Sequence, residues 1–299
     1  MAKRHRRLRI IPSHLPLIRD RLAQFQKTKT GNMLRRWNED AEYRGIADSS
    51  MPEGSSFVED MHAAWNEADR FAAVQLWWVS DDMTRLASDT AQSGDFPLEG
   101  APASMGMMFL ERGLDVERAE NDIIHIVGLQ WEAMGKGILQ VSPLLDDPDF
   151  LQSTGASAAG LPVDFGWLSG EDGTVDKRVG DFLTAFLNAA WTLSMQPRIT
   201  TVKPAEPSTE HPLPSKFDQR IREVKILVLR ENLHSPGMKG DDEKVRREYS
   251  HRFIVRGFWR MQTYGPRNSL RRRQWVPPFV KGPADKPLLA KETVRLWRR

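Results

Sequence analysis

SFVEDMHAAWNEADRFAAVQLWWVSDDMTRLASDTAQSG, residues 56–94, carries the strongest local signal in the chain. Ser56 followed by Glu59 has the spacing of a capping box, in which the two side chains satisfy backbone N–H groups at a helix start. Met61, Trp65, Ala68, Ala72, Leu76, Val79, Met83 and Leu86 then recur three or four residues apart, as the apolar face of a helix requires. The pattern predicts one helix of roughly 30 residues ending near Ser93-Gly94. Trp77 and Trp78 cannot share its stripe, so the helix is expected to pack on two sides, as a core element.

Upstream, residues 1–12 read as a basic arm. Leu15, Ile18, Leu22 and Phe25 predict a helix over 14–37, followed by a polar loop to about residue 55. Downstream, 105–110, 123–131 and 137–141 read as strands, with Gly135-Lys136-Gly137 as a hairpin turn. An acidic loop (143–149), a small-residue segment (153–162) and a second helix over 176–195 follow, the helix faced by Val179, Phe182, Phe186, Ala190 and Leu193. Residues 204–215 are proline-rich and read as a linker. Beyond it 221–230 alternates as a strand, 235–243 is a polar loop, 249–264 reads as a long strand pair or a bent strand, and 273–281 and 293–298 complete a β-rich block. The expected fold is α+β: a basic arm (1–12), an acidic helical and small-sheet domain (13–203), a linker (204–215) and a basic, antiparallel β-rich domain (216–299).

A net charge of +3 over 299 residues conceals three blocks of opposite sign. Residues 1–37 carry 11 Lys+Arg and one acid, residues 38–215 carry 10 against 30, and residues 216–299 carry 22 against 9. Either the basic ends meet an acidic partner such as nucleic acid, or they dock on the acidic middle of the same molecule.

The absence of cysteine excludes disulfides, thiolate metal sites and cysteine nucleophiles. Mean hydropathy is −0.51 and no run of about 18 apolar residues exists, so no membrane span is expected. The basic N-terminus lacks the apolar core of a signal peptide, and a cytoplasmic protein is expected. The seven histidines form no HExxH or i,i+4 pair, and Walker and Rossmann glycine patterns are missing. The segment around Ser157 is one residue off a nucleophile elbow and lacks its strand. Asp146, Asp147 and Asp149 read as a solvated loop. No metal or cofactor is expected.

The stretch HRFIVRGFWRMQTYGP, residues 251–266, concentrates what chemistry there is. With period two, His251, Phe253, Val255, Trp259 and Met261 face the core. Arg252, Ile254, Arg256, Phe258, Arg260, Gln262 and Tyr264 face the other way, interleaving guanidinium groups with aromatic rings. Arg267, Arg271, Arg272 and Arg273 follow in the connecting loop, with Trp275 and Lys281 on the next strand. Cations for phosphates and π-faces for bases are what a single-strand or RNA surface needs. A plain reading, a solvated basic strand whose stems cover apolar surface, competes with it.

Residues 252–266, with the Trp275-Val276-Pro277-Pro278-Phe279-Val280-Lys281-Gly282-Pro283-Ala284-Asp285-Lys286-Pro287-Leu288 that follows, resemble the end of an uncharacterised family of actinobacteria and their phages. That family is marked by a Gly-His-Trp-Arg-x-Gln core and a Lys-Gly-Pro-x-Asp-x-Pro-Leu close. The segment 101–109 is similar to its mid-chain strand. Phe258 stands where the family has histidine, so a family role for that histidine would be missing here. The resemblance implies a mobile-element or phage setting.

Nucleic-acid binding through Arg252, Arg256, Arg260 and Arg271–Arg273, with bases stacked on Phe258, Tyr264 or Trp275, is the expected function. One alternative is a protein-interaction module whose acidic middle is the working surface. Another is a metal-independent ribonuclease or toxin using His251, Tyr264, Arg260 and Lys281, although alternation places His251 opposite Arg260.

Overall fold

The computed structural model describes residues 9–51, 53–71, 74–97, 100–119, 122–135, 138–145, 164–165, 177–197, 199–230, 250–283, 286–289 and 293–294. The arm before residue 9, the turn at Lys136-Gly137, the acidic loop from 146, the segment 153–162 and the loop 235–243 lie outside the described residues.

Residues 56–94 do not form one helix. They form α3 (Phe57–Arg70), strand β1 (Gln75–Val79) and α4 (Asp81–Ser93). The run Leu76-Trp77-Trp78-Val79 is aromatic and β-branched, which favours a pleated strand. Leu76 and Trp78 enter one core and Trp77 and Val79 the other, so alternation across two buried faces explains the adjacent tryptophans. Such a strand reads as a continuous apolar run, and three- and four-residue spacings can be picked out of it as well. Ser80 then caps α4, its Oγ accepting from the Met83 N–H at 3.4 Å, and Gly94 closes the helix at φ 65°. Ser56 occupies the expected cap of α3 but makes no side-chain capping bond.

Upstream, α1 (Leu15–Glu39) buries Leu15, Ile18 and Leu22. The expected polar loop contains α2 (Ala41–Ser49), capped by Asp40, whose carboxylate accepts from the Tyr43 N–H at 3.0 Å. Strands β2 (Met105–Ala119), β3 (Asp122–Gly135), β4 (Ile138–Leu145) and β5 (Asp164–Phe165) are successively antiparallel. Helix α5 (Lys177–Ser194) follows, with its five predicted face residues buried. Strand β6 (Thr200–Pro204), the short helix α6 (Asp218–Arg222) and β7 (Lys225–Leu229) come next.

These strands assemble in the order β5-β4-β3-β2-β1-β7-β6. The centre is parallel, β1 pairing with both β2 and β7, and β6 and β7 pair antiparallel. Strand β13 (Thr293–Val294) adds to the far end of β2. One face packs on α4 and α5; the other buries Ile10, the start of α1, Phe217 and Ile221. The fold is α+β. Its sheet is larger than the small one expected, because β1 lies inside the misread helix and β7 comes from the basic block. The proline-rich segment 204–215 therefore leads from one strand of the sheet to its hydrogen-bonded neighbour. Ala205 within it is buried and donates its N–H to the Val224 carbonyl at 3.0 Å.

The rest of the basic block forms two small sheets: β8 (Arg252–Val255) between β11 (Phe279–Lys281) and β12 (Leu288–Leu289), and a hairpin of β9 (Phe258–Tyr264) and β10 (Leu270–Val276). Residues 249–264, expected as a strand pair or a bent strand, form two strands in different sheets, separated at Arg256-Gly257. A Cβ on Gly257 would press on Pro278 and Trp275 at 3.0–3.1 Å, so the chain crosses there with no room for a side chain.

Candidate nucleic-acid interface

The break resets the alternation. Ile254, expected outside, packs against the core beside α4 and α5, as does Trp259. Met261, expected inside, is exposed. Because directly opposite residues of an antiparallel pair share a face, the register assigns the hairpin's faces. Phe258, Arg260, Gln262 and Tyr264 lie opposite Val276, Gln274, Arg272 and Leu270. The other face carries the Trp259–Trp275, Met261–Arg273 and Thr263–Arg271 pairs.

The predicted cations divide into two groups. Arg252 faces inward: its Nη2 pairs with Asp82 of α4 at 2.9 Å and its Nε donates to the Lys286 carbonyl at 2.7 Å. Arg256 pairs with Asp89, also on α4, at 3.3 Å. Trp259 donates its indole N–H to Asp95, just beyond α4, at 2.8 Å. From the same helix Arg85 reaches the Leu288 carbonyl at 3.1 Å. One face of α4, with Asp82, Arg85 and Asp89 at helical spacing, thus receives β8, its partner strand β12 and Arg256. Sequence reasoning missed these partners, yet the spacing of Asp82 and Asp89 around Arg85 was a readable signal.

The second group stays in solvent. Arg260, Arg267, Arg271, Arg272 and Arg273 are exposed, and none pairs with a carboxylate among the described residues. Arg272 lies over the Tyr264 ring at 5.4 Å and Arg273 over Trp259 at 4.4 Å. Phe258 and Tyr264 are 48% and 42% exposed. Half-buried Gln262 donates to the Thr263 carbonyl at 3.0 Å. Lys281 is exposed on β11, in the other small sheet. Trp275 cannot stack a base: it is 9% exposed and part of the core.

The residues considered for ribonuclease chemistry are dispersed. His251 bonds Ser250 and packs edge-on to Phe253, Lys281 pairs with Phe253 across β8–β11, and Tyr264 is at the far end of the hairpin. A tighter constellation occurs elsewhere, where His125 Nδ1 meets Asp115 across β2–β3 at 2.6 Å. There the backbone of Gly113 closes over the second ring nitrogen, so closely that a Cβ would collide with it, which marks a packed pair. No family model and no curated protein matches this chain.

Proposed function

We propose that the protein binds nucleic acid through the β9–β10 hairpin, in the phage or mobile-element setting implied by the C-terminal resemblance. The observation that carries this reading is the second group of cations. Residues 258–276 hold five arginines and no acid, exposed beside two aromatic rings, while Arg252 and Arg256 upstream pair with aspartates of α4. Arginine offers a planar fork to phosphate and a flat face to bases. The test is fluorescence anisotropy of labelled nucleic acids with the full chain. Binding should weaken with salt as counterions are released. Replacing Arg271, Arg272 and Arg273 by alanine should lower affinity at least ~10-fold, each phosphate contact being part of the electrostatic term. Affinity that ignores both salt and the triple substitution would sink the proposal.

A further inference from the structure

We infer that the hairpin recognises duplex DNA from the major groove; this rests on the nucleic-acid reading above and names its substrate. A single-strand surface needs successive aromatic platforms for successive bases. The hairpin has no such platform. Trp275 is buried in the core, and Phe258 and Tyr264 stand six residues apart on β9, about 20 Å at the rise of an extended strand. Tyr264 is further covered by Arg272.

Between the two rings the same face carries Arg260 opposite Gln274 and Gln262 opposite Arg272. Arginine and glutamine make bidentate contacts with guanine and adenine edges, respectively, in the major groove. The support is a two-stranded sheet, and a ribbon of this kind fits a major groove about 12 Å wide but not a minor groove about 6 Å wide. The major groove of A-form RNA is too deep and narrow for side chains to read. Arg271 and Arg273 on the opposite face, with Arg267 at the tip, supply charge for the phosphates along the groove's rims.

The full chain is titrated by anisotropy against a DNA duplex of about two helical turns, the same sequence as an RNA duplex, and each single strand. The DNA duplex is expected to bind at least ~10-fold tighter than the others, and replacing its guanines by 7-deazaguanine, which removes the major-groove N7 acceptor, should weaken binding. Gln262→Ala with Gln274→Ala should flatten the base preference selected from a random duplex pool while leaving the salt dependence unchanged. Equal or tighter binding of single strands or RNA would overturn the inference and leave the nucleic-acid reading standing. Indifference to 7-deazaguanine together with an unchanged base preference in the glutamine variant would also overturn the groove assignment. Binding to none of the probes would overturn both.

Discussion

Trp259 and Trp275 face each other across the hairpin and divide it into a docked base and an exposed arm. Trp275 is core, so Trp275→Ala should cost ~3–5 kcal/mol of stability, the usual range for removing a buried indole. Tyr264→Ala, on the arm, should stay within about 0.5 kcal/mol, as surface substitutions do, while lowering nucleic-acid affinity by removing the ring that positions Arg272. Denaturant titration of both variants checks the pair, and a near-neutral Trp275→Ala would contradict the packing. Two aspartates at helix starts make a second residue-scale prediction. At Asp40 the Tyr43 N–H holds the carboxyl below its ordinary 3.8, so its stabilisation is present above that value and fades as pH falls through the depressed one. Desolvation raises Asp81 above 3.8, so its contribution is full below that value and is lost as pH rises through the elevated one. Between about pH 3 and about pH 6, the stability differences of Asp40→Asn and Asp81→Asn from the native chain should therefore run in opposite directions. Parallel curves would refute the assignment. Single residues were legible wherever a face was uniform, as with Val179, Phe182 and Phe186 of α5. They were not legible at Trp275, which flanks an arginine run and gives no local sign of burial.

Helix α4 decides where the basic block goes. Its Asp82 and Asp89 hold Arg252 and Arg256, and Asp89 Oδ2 is buried with no hydrogen bond among the described residues, so that carboxylate depends on its arginine. Replacing both aspartates with asparagine removes the carboxylate partner of each guanidinium group, leaving Arg252 only its bond to the Lys286 carbonyl. Nucleic-acid affinity should then rise and the slope of log K against log salt should steepen by up to about 2, close to one unit for each phosphate newly contacted. An unchanged slope would mean that these arginines never reach the ligand. Among the elements, α1 and α5 were readable because each carries one helical apolar face, and the cores of β2, β3 and β4 because they are short apolar runs bounded by turn residues. The start of the sheet was hidden because β1 is buried on both faces, which lets a strand imitate a helix in its apolar spacing. Alternation alone cannot decide between a strand pair and one bent strand over 249–264, because the crowding of Gly257 by Trp275 and Pro278 comes from residues about twenty positions further along the chain.

At the scale of the whole molecule, the docking reading of the charge pattern holds in part. Arg9 pairs with Glu111 at 2.8 Å, Lys27 with Asp69, and Arg252 and Arg256 with α4, so the basic ends bind the acidic middle at several points, while the hairpin arginines stay outside that arrangement. The sequence places a boundary at 204–215 because the charge changes sign there, but charge describes surfaces and strand pairing is a property of backbones. Strand β7 lies on the basic side of that boundary and sits between β1 and β6, with Ile226 in one core and Leu227 in the other. Residues 204–299 expressed alone would expose both faces and both edges of β7, and unpaired buried backbone is costly. The fragment should therefore give the circular dichroism of a largely unfolded chain and fast amide exchange through 225–229. In the full chain the same amides should be among the slowest, since a central strand opens only with the global fold. A fragment that folds cooperatively, with protected amides at 225–229, would show that the basic block is self-sufficient and that its place in the sheet is not what stabilises it.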